Sequence, residues 1–248
     1  LTLEYDGTAY AGWQIQRSRK PKSIQEVIEK TLSGILQEQI RLIASGRTDA
    51  GVHAVGQVAN FKTDSGIPAE KLQRALNGLL PDDIVVTKIE EAGLDFHSRF
   101  AAKSKIYRYT ILNQPYPSAL LRNAVYFCPY PLDIKLMRQE AYCLLGRHDF
   151  QAFCAAGSGV KSKIRQIKNI SVSKKRYRLY AICYMLIIIE IEADGFLRNM
   201  ARNIVGTLLE IGRGNPIDMK QLLSLRDRTK AGPTAPAKGL CLMEVNYR

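Results

Sequence analysis

Histidine is scarce in this chain, with three residues, at positions 53, 97 and 148, among 248. No HExxH, GxSxG, Walker-type or GxGxxG pattern occurs, so zinc-hydrolase, serine-triad and dinucleotide-fingerprint chemistries lack the residues they require. The five cysteines, at 128, 143, 154, 183 and 241, are odd in number and include no CxxC pair, which argues against a disulfide framework and a structural zinc site. A reducing, cytoplasmic compartment is the expectation. The most apolar run, residues 181–189, falls well short of the roughly 18 residues of a membrane span, so no membrane partner is expected. No signal-peptide pattern opens the chain, and the missing initial Met suggests that a few residues precede Leu1. What remains is a globular composition with 46% hydrophobic and 24% charged residues, long enough for two domains of about 100 residues or more each.

Charge is the first positive signal. Lys and Arg number 36 against 23 Asp and Glu, a net charge of +13 that favours a polyanionic partner such as nucleic acid. The excess is one-sided: residues 1–95 hold 11 basic and 13 acidic side chains (net −2), and residues 96–248 hold 25 and 10 (net +15). Lys161, Lys163, Arg165, Lys168, Lys174, Lys175, Arg176 and Arg178 are interleaved with Tyr177 and Tyr180, as a surface that tracks phosphates would be. A solvated basic face is the plainer alternative.

Hydrophobic periodicity predicts an α+β fold. Residues 1–5 alternate as a strand, and Asp6-Gly7-Thr8 supplies turn chemistry. Ser23 to Glu26 forms a capping box ahead of a helix, residues 40–44 and 55–61 read as strands, Pro68 opens a second helix, and residues 83–89 return as a strand. That order is the split βαβ, or ferredoxin-like, arrangement. The second half repeats it with strands near 105–112 and 124–129, a helix near 133–145, strands near 165–174 and 179–193, a helix over 196–211 and a strand near 240–247. The expected architecture is two ferredoxin-like (RRM-like) halves with antiparallel sheets, residues 1–95 and 96–248, joined around a central cleft. The Pro- and Gly-containing stretch 225–239 is expected to be either an ordered loop beside a site or a flap.

Three segments carry candidate chemistry. The loop 45–54 contains Gly46-Arg47-Thr48-Asp49-Ala50-Gly51-Val52-His53, longer than the two to five residues or so of an ordinary hairpin connection. Arg47, Asp49 and His53 therefore stand together at the end of a core strand, although Asp beside Gly is ordinarily just a turn former. In the segment 194–206, Phe196, Met200, Ile204 and Leu208 share one helix face and Arg198 and Arg202 another, close to an apolar strand where an arginine needs an anionic partner such as Asp49. In the third segment Lys105, Tyr107 and Tyr109 alternate along a strand, the usual pattern of core or edge packing.

Taken together, these blocks resemble the tRNA pseudouridine synthases of the TruA type. The resemblance rests on Tyr5-Asp6-Gly7-Thr8 with Gly12-Trp13-Gln14, GRTDAGVHA at 46–54, Leu76 to Pro81, Phe96 to Phe100, Tyr107-Arg108-Tyr109, His148-Asp149-Phe150, Phe196 to Gly206 and AGPTAPAKGL at 231–240. It departs from the family's pattern at Ala201, where Val is usual, and at Ser98, often Ala. The chain's length resembles that of the bacterial members.

The resemblance implies isomerisation of uridine to pseudouridine at positions 38 to 40 of the tRNA anticodon stem-loop, without metal or organic cofactor, by a homodimer. Asp49 matches the catalytic aspartate, and attack on ribose C1′, assistance of glycal formation and addition to uracil C6 all stay open for it. Arg202 matches the basic residue paired with that carboxylate. Tyr107 matches the tyrosine that stacks on the target base, Arg47 a residue that enters the RNA as the uridine is extruded, and Leu240 the apolar wall of the pocket; His53 is counted with the substrate-binding residues. A stem uridine must flip out of its stack to react, in accord with such a pocket. The rival reading is a non-catalytic RNA-binding module, but no RNP1-like segment is present.

Overall fold

The computed structural model describes residues 1–16, 21–157 and 159–247. Packing divides the chain into two compact units, Leu1–Lys103 with Cys241–Arg248, and Ser104–Leu240. The division differs from the expected one at 95/96 in that residues 96–103 and the last strand both group with the first unit, the strand through backbone pairing that sequence separation conceals.

In the first unit, β1 (Thr2–Tyr5) buries Leu3 and Tyr5, and the Asp6 carboxylate ends it by accepting the Thr8 N–H at 2.9 Å. Helix α1 (Ile24–Leu36) starts where Ser23 Oγ accepts the Glu26 N–H at 3.2 Å, and Ile24, Ile28, Leu32 and Leu36 form its buried stripe. Strand β2 is Ile43–Ala44, shorter than the expected 40–44. The reason is competition: Ser33 Oγ takes the Ile40 N–H at 3.1 Å and Glu29 takes the Leu42 N–H at 2.8 Å, so helix side chains hold groups that a ladder would use. Strand β3 (His53–Asn60), helix α2 (Ala69–Leu79) and β4 (Ile84–Lys88) complete the expected order. Adding β10 (Leu240–Asn246), the strands run β4, β1, β3, β10, with β1 antiparallel to β3 and β4, and β10 parallel to β3.

The second unit contains β5 (Ser104–Leu112), β6 (Tyr126–Phe127), α3 (Ile134–Tyr142), β7 (Gly146–Asp149), β8 (Ile164–Leu179), β9 (Ile182–Ala193), α4 (Met200–Gly212) and α5 (Met219–Leu225). Strands β5, β9, β8 and β7 are antiparallel neighbours in that order, and β6 lies parallel to the end of β5. Strands β8 and β9 form one hairpin closed by Tyr180 (φ 53°) and Ala181. The charged run 174–178 conceals this continuity in the sequence, because the hairpin's end is held by its ladder rather than by burial. β7 and α5 carry no periodicity strong enough to predict.

Helix α4 is buried on almost every side, not on one face. It begins at Met200, because Asn199 adopts the left-handed region (φ 60°) and breaks the expected continuation from Phe196. Arg198 consequently precedes the helix, and the Arg198/Arg202 face does not form. The stretch 225–239 is an ordered strap across α4. A Cβ on Gly206 would lie 1.7 Å from the Pro233 carbonyl oxygen and one on Gly232 2.7 Å from Thr207 Cα, so only glycine permits this approach. Fully buried Asn203 ties the strap down: Nδ2 donates to Phe153 O (2.8 Å), while Oδ1 accepts from Arg228 (3.0 Å) and Thr234 (2.7 Å).

Candidate active site

In the first unit the connection from β2 to β3 alternates inward and outward: Arg47 is exposed, Thr48 buried, Asp49 half-buried and Ala50 exposed. A buried polar chain sets that alternation. Ser45 Oγ donates to Gln57 Oε1 (2.7 Å), Gln57 Nε2 donates to Gly46 O (2.9 Å) and more weakly to the Tyr5 hydroxyl (3.4 Å), and that hydroxyl pairs with Thr48 Oγ1 (2.8 Å). The Trp13 N–H donates to Thr48 O at 3.0 Å, and the Val52 N–H closes a turn on Asp49 O at 3.1 Å, with Gly51 at φ 77°. Gly12, at φ 91°, leaves no room for a side chain: a Cβ there would stand 2.6 Å from Thr48 O and 2.9 Å from the Asp49 carbonyl carbon.

His53 begins β3, its side chain 11% exposed. Its Nδ1 lies 3.1 Å from the Gly7 N–H, from which it accepts as a neutral imidazole, and 3.0 Å from Asp6 Oδ1, to which it donates when Nδ1 carries the proton. Burial opposes ionisation of Asp6, but the Thr8 hydroxyl and N–H, together with His53, outweigh it and hold the carboxyl below its usual value.

In the second unit Tyr107 lies on β5 facing the core, 7% exposed, with the Phe196 ring edge-on at 4.8 Å between centroids. Two residues on, fully buried Tyr109 donates to Pro236 O at 2.9 Å, and burial pushes its phenol far above the ordinary value. Arg202, on the first turn of α4, donates from Nε to Ala235 O (2.7 Å), while the Ala235 N–H returns a bond to Arg202 O (3.1 Å). The strap thus fixes the guanidinium. Leu240, 6% exposed, follows a single 3-10 turn, Ala237–Gly239, and its N–H caps that turn on Ala237 O.

The structure therefore places Arg47 and Asp49 on the β2–β3 loop and His53 at the start of β3 in the first unit, and Tyr107, Arg202 and Leu240 in the second. Sequence reasoning missed Tyr5, Thr48, Gln57 and Asn203 as supports. A polar Gln in the alternation of β3 was the only available hint, because its partners are 11, 12 and 52 residues away. Among the described residues, no group of three or more His, Cys, Asp or Glu side chains could hold a metal ion, and no helix is long and apolar enough to cross a membrane.

The β8–β9 hairpin presents Lys174, Lys175, Arg176, Tyr177 and Arg178 to solvent, with Tyr180 at its tip 83% exposed. Pairing sorts them onto two faces: Lys175 and Tyr177 stand opposite Leu186 and Tyr184, whereas Lys174, Arg176 and Arg178 stand on the reverse face.

The first unit thus offers a carboxylate on a loop braced by buried polar groups, and the second a buried aromatic on a core strand and an arginine held by the strap. The chain matches the family described as tRNA pseudouridine synthase over residues 2–101 and 141–248, and it belongs to that family, a family of isomerases. It is 46% identical over 249 residues to the tRNA pseudouridine synthase A of Acetivibrio thermocellus, covering 100% of this chain and 98% of the relative. The proteins of the same description from Caldicellulosiruptor saccharolyticus, 45% identical over 254 residues, and Clostridium acetobutylicum, 47% over 249, are covered as fully.

Proposed function

We propose that this chain isomerises uridine to pseudouridine at positions 38 to 40 of the tRNA anticodon stem-loop, with Asp49 as the nucleophile and without a cofactor. The observation that carries the reading is the bracing of Asp49: its neighbours are locked by Tyr5, Gln57 and Trp13, while its own side chain stays half-buried and not entombed. The reaction is balanced within the nucleotide. The C1′–N1 bond breaks, C1′–C5 forms, C5 loses a proton and N1 gains one. Asp49 provides a carboxylate for a covalent or ion-pair stage, and Arg202 is proposed as the cation that works with it. Tyr107 stacks on the flipped base; Arg47, His53 and Leu240 complete the substrate contacts, His53 also tying the loop's end to Asp6 and Gly7. In functional terms residues 1–95 carry the aspartate loop and residues 96–248 supply most of the tRNA-binding charge. Both are read as ferredoxin-like, a reading supported in the first by the strand order β4, β1, β3 with β2 beside β3. A homodimer acting in the cytoplasm accompanies this proposal. The direct test is tritium release from C5-labelled uridine in an anticodon-arm transcript: release with no change of mass of the unlabelled product is expected, and no release at saturating enzyme would refute the activity.

Tyr107 separates stacking from proton chemistry. Tyr107→Phe is expected to retain tRNA affinity, because the ring face and its edge contact with Phe196 persist, while the single-turnover rate falls by an order of magnitude or more if the hydroxyl moves the C5 proton. Tyr107→Ala should in addition weaken binding by about 1 to 3 kcal/mol of lost stacking. Filter binding beside single-turnover kinetics resolves the two, and a fully active Phe variant would reduce Tyr107 to a platform.

The hairpin makes a salt-dependent prediction. Each neutralised phosphate contributes about 0.7 to 0.9 to the slope of log affinity against log salt, so three contacts would flatten it by up to about 3. Lys174 and Arg176 share one face and Lys175 lies on the other, so a single RNA strand reaches two of the three. Neutralising all three together should then flatten the slope by about 1.4 to 1.8, with single-turnover chemistry at saturation preserved. Superimposable salt titrations would show the hairpin to be a solvated face.

A further inference from the structure

We infer that Tyr5, Thr48 and Gln57 form a positioning relay for Asp49, in which the Tyr5 hydroxyl on the first strand sets the depth of the loop that presents the carboxylate. The inference rests on the reading of Asp49 as the nucleophile. Its basis is a set of contacts that converge on residues 46–52 and come from the segment 5–13 and from Gln57 on β3. The Tyr5 hydroxyl meets Thr48 Oγ1 at 2.8 Å and Gln57 Nε2 at 3.4 Å, and the same Nε2 holds Gly46 O at 2.9 Å. Trp13 N–H holds Thr48 O at 3.0 Å. Gly12 lets the backbone of residues 48–50 lie directly on that segment, and Gly7 does the same for Val52, whose carbonyl oxygen would be 2.0 Å from a Cβ at Gly7.

Simple packing would not require polar atoms here. Tyr5, Ser45, Thr48 and Gln57 are all at least nine-tenths buried, yet each side-chain oxygen or nitrogen has a partner, and the same burial holds the Tyr5 phenol neutral by raising its pKa. A methyl-lined bed would fill the space with no penalty for desolvation, but it would let the loop slide. Directional bonds to Thr48 and to the Gly46 carbonyl pin the 46–47 and 48–49 peptide units to within hydrogen-bond tolerance, and the reacting carboxylate inherits that precision. Tyr5 touches no reacting atom, so its role is positioning and not catalysis.

The test uses Tyr5→Phe and Thr48→Val, singly and together, in the full chain, with single-turnover rate and tRNA dissociation constant measured well below each variant's melting temperature. The relay predicts a fall of about 10- to 100-fold in the single-turnover rate for each single variant, the size expected for a nucleophile displaced by a fraction of an ångström to 1 Å. The tRNA dissociation constant should stay within about two-fold, and the double variant should lose little more than Tyr5→Phe alone, since both singles remove the Tyr5–Thr48 bond and Tyr5→Phe adds only the loss of the longer one from Gln57. Full activity in both singles, additive losses, or losses that follow affinity or melting temperature would overturn the inference. Thr48→Val carries the test alone if Tyr5→Phe does not fold. Asp49→Asn run in parallel separates the failures: an active Asn variant removes the nucleophile reading, whereas an inactive one beside fully active Phe and Val variants removes only the relay.

Discussion

Asp49→Asn is expected to bind tRNA as the parent does and, if Asp49 is the nucleophile, to lose at least about four orders of magnitude in turnover, as nucleophile removal does in enzymes with a covalent mechanism. The fold should survive because the named contacts that brace the loop run through the Thr48 hydroxyl and carbonyl, the Gly46 and Asp49 carbonyls and the Val52 N–H. The amide has almost the same shape but is a poor nucleophile and carries no charge to stabilise a cationic ribose. Single-turnover tritium release on protein whose mass verifies Asn at position 49 is the measurement. Turnover within about ten-fold of the parent would end the assignment of Asp49.

Arg202→Met should cost about two to three orders of magnitude in turnover, the range attributed to the loss of one preorganised electrostatic contact in a catalytic site. Its position argues for a placed charge. Helix α4 is buried almost all round, Arg202 stands on its first turn, and the strap grips it by Nε to Ala235 O at 2.7 Å and by the return bond from the Ala235 N–H. Methionine fills the volume but leaves the Ala235 carbonyl without its donor, so some loss of stability accompanies the loss of charge. Arg202→Lys is the control: it keeps the cation, and if charge alone mattered it would restore most of the rate, whereas a forked, Nε-anchored guanidinium is not reproduced by an ammonium. If the two residues work together, Arg202→Met in the Asp49→Asn background should cause almost no further loss. Near-parental turnover for Arg202→Met would remove it from the chemistry.

The element sequence of the first unit was legible because its signals are local. The Ser23 capping box, the stripe of Ile24, Ile28, Leu32 and Leu36 and the alternation of Leu3 and Tyr5 each express a contact or a periodicity within a few residues. Candidate residues were legible for a different reason: Asp49 sits in a loop too long for a plain hairpin, and the ordered blocks around it resemble one family. Where the prediction erred, a partner distant in sequence decided. Residues 40–42 leave the strand because Ser33 and Glu29 of α1 claim their N–H groups, and α4 starts four residues late because Asn199 turns left-handed. Whether 225–239 was strap or flap was open in the sequence, and Asn203, Gly206 and Thr207 decided it by bonding and by close approach. The buried chain from Ser45 through Gln57 and Tyr5 to Thr48 belongs wholly to this second kind of information. Sequence by itself determined the charge asymmetry, the local elements and the residue types available for chemistry, because these depend on composition and short-range spacing. Tertiary structure alone decided which polar side chains are buried, satisfied and braced against the aspartate loop, because a hydrogen bond is set by distance in space and Tyr5 meets Thr48 across 43 residues of chain.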